Sequence, residues 1–174
     1  VLQMQDYAKA ASRHDVDSIF FGGGTPSMLS TKQLLKVIDG IYDNFNVRGD
    51  AEFTIEANPA TLKTASLRKL RRAGVNRLSI GLQSANNDEL QSLGRIHSYA
   101  DFEESYFMAR KAGFDNISVD LMYGIPHQTA ESFSHTLKTV TALRPEHISV
   151  YGLKIEEGTP FDERKASLVL PDED

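Results

Sequence analysis

The sequence predicts an α/β fold built on a parallel sheet, and three observations predict it. Five short runs rich in β-branched and aromatic residues alternate with segments of helical spacing. Three junctions share one helix-stop-strand layout: Ala73-Gly-Val-Asn-Arg-Leu-Ser-Ile80, Ala112-Gly-Phe-Asp-Asn-Ile-Ser-Val119 and Arg144-Pro-Glu-His-Ile-Ser-Val150. Their serines Ser79, Ser118 and Ser149 lie 39 and 31 residues apart, about the length of a βα unit. Within the strands, apolar residues alternate with small or polar ones, so the two faces of the sheet differ in character. Strands separated by helices pair in parallel through right-handed crossovers. Periodicity leaves both an open sheet and a partial barrel available.

The first strand, 17–21 (Asp-Ser-Ile-Phe-Phe), runs into Gly22-Gly-Gly-Thr-Pro-Ser27. Ser30-Thr-Lys-Gln33 then reads as a capping box opening a helix over 31–44, with Leu34, Leu35, Val37, Ile38 and Ile41 at helical spacing. Strand 52–56 leads through Ala57-Asn-Pro59 to helix 63–73, stopped at Gly74. Strand 76–82 precedes a short helix opened by Asn86 and a longer one over 99–112, stopped at Gly113. Strand 116–121 leads through Tyr123-Gly-Ile-Pro126 to helix 130–143, capped by Thr129, and strand 147–151 closes the set. Residues 152–174 read as mostly irregular, ending in the acidic Pro171-Asp-Glu-Asp174.

Three glycines where a strand hands over to a helix exceed what a tight turn needs. Glycine tolerates positive φ and lets a ligand approach the backbone. The stretch is not a Walker loop, because no lysine follows the last glycine and the G-x-G-x-x-G spacing is absent. On the strands, Phe53, Ile55 and Ala57 oppose Thr54, Glu56 and Asn58; Leu78, Ile80 and Leu82 oppose Ser79, Gly81 and Gln83. Ile117, Val119 and Leu121 oppose Ser118 and Asp120, and Ile148 and Val150 oppose Ser149 and Tyr151. Ligands of parallel α/β folds sit at the carboxyl ends of the strands. Glu56, Gln83, Asp120 and the Gly22–Gly24 loop are therefore expected to converge on one polar small-molecule site. Arg95 reads by default as a solvated loop cation.

The bulk numbers exclude several classes. A chain of 174 residues with 40% hydrophobic and 25% charged residues suits one ordinary globular domain. A net charge of −5 without a basic block argues against nucleic acid. No apolar run reaches the roughly 18 residues of a membrane span, so membrane association is not indicated and cytoplasmic residence is expected. With no cysteine there is neither a disulfide scaffold nor a thiolate metal site, and the five histidines show no H-x-x-H or H-E-x-x-H spacing. No metal-ligating or catalytic residue is assigned. Val1 is not a start methionine, and residues 1–11 read as the tail of a helix, so a fragment is expected.

Phe20-Phe-Gly-Gly-Gly-Thr-Pro-Ser27, Thr54-Ile-Glu-Ala-Asn-Pro59, Asn76-Arg-Leu-Ser-Ile-Gly-Leu-Gln-Ser84, Leu93-Gly-Arg95 and Val119-Asp-Leu-Met-Tyr-Gly-Ile-Pro-His-Gln-Thr129 occur in that order. Together they resemble the radical S-adenosylmethionine proteins related to oxygen-independent coproporphyrinogen III oxidase. The resemblance implies a parallel (β/α) partial barrel in which the strands here are the second to sixth, the first being missing. It implies a barrel core over 1–151 and a connection over 152–174 towards a missing C-terminal domain. It also implies that Gly23, Gly24 and Thr25 meet the methionine end of S-adenosylmethionine, and that Glu56, Gln83, Arg95 and Asp120 hold its ribose and remaining polar groups. Lys154 falls where the family contacts the adenine through its backbone.

The family's [4Fe–4S] cluster is ligated by a C-x-x-x-C-x-x-C loop that would lie upstream of Val1; thiolates hold such clusters. By itself, the chain is expected to bind no cluster and to do no radical chemistry. In the intact protein the resemblance implies that the cluster delivers an electron to the sulfonium, giving methionine and a 5′-deoxyadenosyl radical. Ser149-Val-Tyr-Gly-Leu-Lys-Ile-Glu-Glu-Gly-Thr-Pro-Phe161 resembles the family's heme-chaperone branch, which binds heme and hands it to an acceptor protein. The alternatives are the oxidase branch, which converts coproporphyrinogen III to protoporphyrinogen IX, and a non-radical small-molecule-binding module.

Overall fold

The computed structural model describes residues 1–171, and its centre is one sheet of five strands paired in parallel in chain order. These are β1 (Asp15–Phe21), β2 (Asn46–Ala57), β3 (Arg77–Gln83), β4 (Ile117–Tyr123) and β5 (His147–Gly152). The helices are α1 (Leu2–Ala11), α2 (Thr31–Asn44), α3 (Thr64–Arg72), α4 (Asn87–Ser92), α5 (Tyr99–Lys111), α6 (Ala130–Ala142) and the single turn α7 (Pro160–Glu163). The sheet curls into a half-barrel, which resolves the choice that periodicity left open.

The capping boxes form as their residues require. Ser30 Oγ accepts from the Gln33 amide at 3.3 Å while Gln33 Oε1 accepts from the Ser30 amide at 2.9 Å. Thr129 caps α6 and Asn86 caps α4 in the same manner, each side-chain oxygen accepting a first-turn N–H. The clearest departure from expectation is β2, which starts at Asn46 rather than near Glu52. Its first half, Asn46-Val-Arg-Gly-Asp50, is too polar to read as a buried strand. Asp15 and Val16 pair with Asn46 and Val47, and the register then jumps so that Ser18 meets Glu52. The Asn76 side chain extends β2–β3 pairing, accepting from the Phe53 amide at 2.7 Å and donating to the Ala51 carbonyl at 2.8 Å. Beyond β5, residues 160–163 and 165–167 form single helical turns; the acidic Asp172–Asp174 lies outside the described residues.

The core sits on the helix-covered face. Phe53 and Ile55 of β2, Leu78 and Ile80 of β3 and Ile117 and Val119 of β4 are all buried there. They pack with Leu34 and Ile38 of α2, Leu67 and Leu70 of α3, Phe102 and Tyr106 of α5 and Val140 of α6. The opposite face carries the small and polar residues, and it is there that space remains.

Candidate functional site

At the carboxyl ends of the strands a cavity of about 280 Å³ opens on the inner face of the half-barrel. It is lined by Gly24 and Thr25 after β1, Glu56, Ala57 and Asn58 at the end of β2, Ser79, Gly81 and Gln83 on β3, Arg95 beyond α4, Asp120 on β4 and Tyr151 on β5. Strand register makes this a built arrangement, because Glu56 lies beside Ser79, Gly81 beside Asp120, and Asp120 beside Ser149.

Six of the eight residues expected from the sequence line this space: Gly24, Thr25, Glu56, Gln83, Arg95 and Asp120. Gly23 stands just behind them, and its amide donates to Glu56 Oε2 at 3.2 Å, which ties the glycine loop to β2. Gly23 and Gly24 adopt φ of +77° and +67°, a conformation that L side chains rarely take. Ser27 draws the loop against β2 a second time, its hydroxyl accepting from the Asn58 amide at 3.2 Å and from Thr61 Oγ1 at 2.6 Å. Lys154 does not line the cavity. Its ammonium pairs with Glu156 at 2.9 Å on the surface, with 82% of the side chain exposed.

The electrostatics are uneven. Both oxygens of Asp120 accept from Ser79 Oγ at 3.0 Å. Burial raises the Asp120 carboxyl above its usual value, against the opposing pull of the Ser79 and Ser149 hydroxyls and of the nearby Arg77. Burial also lowers Arg95 from its usual value; among the described residues no carboxylate lies within ion-pair distance of its guanidinium. Gln83 has φ of +77°, rare for a residue with a side chain, and it sits where the β3–β4 register shifts between Gly81 and Gln83. A Cβ at Gly81 would stand 2.9 Å from Gln83 Nε2, so the amide occupies the room a larger residue would take. Backbone strain of this kind clusters at ligand-binding positions.

Sequence reasoning did not carry Asn58, Ser79, Gly81 and Tyr151 into the site, although it placed each on the polar side of its strand. The signal available was the two-residue strand period: Ser79 and Gly81 precede Gln83 on its own face. Among the described residues the arrangement offers two carboxylates, one guanidinium without a carboxylate partner, the two amides of Asn58 and Gln83 and a turn of left-handed glycines. That set suits a polar small molecule bearing both hydroxyl and charged groups.

The chain matches known proteins along most of its length. A model of the radical SAM superfamily matches residues 1–140. Heme chaperone HemW of Bacillus subtilis is 44% identical over 160 residues, covering 90% of this chain and 42% of that protein. Heme chaperone HemW of Escherichia coli is 41% identical over 169 residues, covering 97% and 44%. The structure of coproporphyrinogen III oxidase (HemN) from Escherichia coli, a radical SAM enzyme, superposes with a TM-score of 0.83 at 30% identity, over 98% of this chain and 40% of that one. The chain thus spans about two fifths of the length of these relatives.

Proposed function

The chain belongs to the radical SAM superfamily, and on that premise we propose that it is the S-adenosylmethionine-binding core of a heme chaperone. The observation that carries the cofactor half of this reading is the convergence of Glu56, Gln83, Arg95 and Asp120 on one cavity beside Gly24 and Thr25. The donor set fits the molecule. Arg95, with no carboxylate in ion-pair reach among the described residues, suits the methionyl carboxylate; Glu56 and Asp120 suit ammonium and ribose hydroxyls; the Gly23–Thr25 turn presents backbone to the methionine end. Gln83 adds an amide that both donates and accepts. When bound, S-adenosylmethionine supplies a sulfonium that a one-electron donor can cleave. The chain's own part is to bind and orient it.

The [4Fe–4S] cluster is a different matter. None of the 174 residues is cysteine, and among the described residues no group of three or more His, Cys, Asp and Glu could hold a metal ion. The residues present do not fit the cluster. In this reading its ligands lie outside residues 1–174.

The heme half of the reading rests on relatives named heme chaperone at 44% and 41% identity, against 30% to the oxidase. The segment Ile155-Glu-Glu-Gly-Thr-Pro-Phe161 after β5 adds support. Heme handed to an acceptor protein, and cytoplasmic residence, are parts of the same proposal; no helix among the described residues is long and apolar enough to cross a membrane. The test is to reconstitute the full-length protein anaerobically, titrate heme, and assay coproporphyrinogen III. Heme binding without conversion is the expected result. Conversion without heme binding would replace this reading with the oxidase.

A further inference from the structure

Behind the cavity lies a buried carboxylate that the binding reading does not use. Glu89, on α4, is 4% exposed. Its Oε2 accepts from Ser84 Oγ at 2.6 Å and from Gln128 Nε2 at 3.0 Å, and its Oε1 accepts from Ser132 Oγ at 2.6 Å. No cation lies within ion-pair distance of it among the described residues. A buried carboxylate is costly to desolvate, and neutral donors offset less of that cost than an arginine would. An apolar residue would fill this space more cheaply. Specific geometry is what the carboxylate provides in return.

Its three donors come from three separate parts of the chain. Ser84 directly follows Gln83, and its hydroxyl also accepts from the Asn86 amide at 2.9 Å. Ser132 belongs to the first turn of α6. Gln128 belongs to the loop after β4, the strand of Asp120, where it also donates to the Met122 carbonyl at 3.3 Å. Arg95 hangs from α4 by its own amide, which donates to the Leu90 carbonyl at 2.9 Å. Glu89 therefore joins the segment bearing Gln83 and Arg95 to the unit bearing Asp120.

We propose that Glu89 is a positioning residue for the cofactor site, acting as a clamp that fixes Gln83 and Arg95 relative to Asp120 through Ser84, Gln128 and Ser132. α4 has only six residues, too short to hold its own orientation. Leu90 is buried beneath it, but apolar contact is non-directional and leaves rotation free. The carboxylate supplies the directional restraint.

The inference rests on the reading that this cavity binds S-adenosylmethionine, and the experiment separates the two. In the full-length protein carrying its cluster, Glu89→Ala should weaken S-adenosylmethionine binding about tenfold by calorimetry. Glu89→Gln should restore it to within about threefold. The glutamine oxygen can accept from Ser84 and Gln128, and its amide can donate to Ser132 Oγ, whose own hydrogen is free to reach the Thr129 carbonyl at 3.1 Å. A merely structural role predicts losses that multiply; the clamp predicts a smaller loss from Glu89→Ala once Arg95→Ala is present, since only the Gln83 arm then remains to be loosened. Amide hydrogen exchange provides a readout without ligand, with faster exchange over 84–97 in Glu89→Ala and none added in β2 or α3. Should Glu89→Ala not fold, Ser132→Ala, which cuts the α6 arm together with the bond from the Thr129 amide to Ser132 Oγ, carries both measurements, because that cap lies outside 84–97. Unchanged exchange over 84–97, or independent losses in the double variant, would overturn the clamp. If the wild-type protein binds no S-adenosylmethionine, the functional reading fails, and the exchange result still decides the clamp.

Discussion

On one face of the sheet, Phe53, Ile55, Leu78, Ile80, Ile117 and Val119 are sealed beneath helices; on the other, their strand neighbours Glu56, Ser79, Gln83 and Asp120 line a cavity. The same few strands build both environments, one residue out of phase. The apolar face is stabilised by burial, which tolerates no polar group without a partner. The cavity face keeps charge half out of water, which opposes folding and favours binding. The division teaches that stability and the proposed binding are separable by face.

The largest effect expected from breaking the division is on the apolar side. Ile80→Ala should lower unfolding free energy by about 2–5 kcal/mol, because Ile80 is fully buried and its loss leaves a cavity. Ser79→Ala, the next residue but facing the other way, should cost under about 1 kcal/mol and act instead through Asp120. Denaturant titration of the pair decides this, and equal losses would show the two faces to be coupled.

Asp120→Asn should reverse the sign between the two properties. Its carboxyl is raised above the unfolded value, so its favourable contribution to stability is present below the unfolded value and is lost as pH rises through the folded one. At neutral pH the ionised group opposes folding. The asparagine variant should therefore melt no lower than wild type while binding S-adenosylmethionine about tenfold or more weakly. A lower melting temperature with intact affinity would place Asp120 among the structural residues.

Gly81→Ala should be milder. The added methyl meets only the mobile end of Gln83, so affinity should fall severalfold with little change in stability. His97 offers a pH test. It is 4% exposed, donates from Nε2 to the Leu82 carbonyl at 3.2 Å, and is lowered below its usual value chiefly by burial. Its contribution is complete above the unfolded histidine value of about 6.5 and is lost as pH falls below it. His97→Gln should flatten the decline in denaturation midpoint between about pH 7 and pH 5. Lys154→Ala, on an exposed ion pair, should change neither binding nor stability measurably.

Much of this was legible in the chain. The capping box at Ser30 and the cap at Thr129 are local, involving residues three apart, and local hydrogen bonds are written in adjacent letters. The two-residue period separated Ile80 from Ser79 for the same reason. The first half of β2 was hidden, because its polar residues carry no burial pattern and its pairing jumps register against β1. Arg95 stood in a loop with no periodicity to give it a direction, and only family resemblance brought it into the site.

The sequence by itself determined the order of strands and helices, the face most strand residues occupy and the end of the sheet where polar groups gather, since these follow from backbone period and local capping. Only the tertiary structure decided that the sheet curls, that Gln83 turns through positive φ at a register shift, and that Glu89 gathers Ser84, Gln128 and Ser132 around one buried carboxylate. Those features depend on contacts between residues up to 43 positions apart, from Glu89 to Ser132, and no local pattern encodes which distant donors will meet.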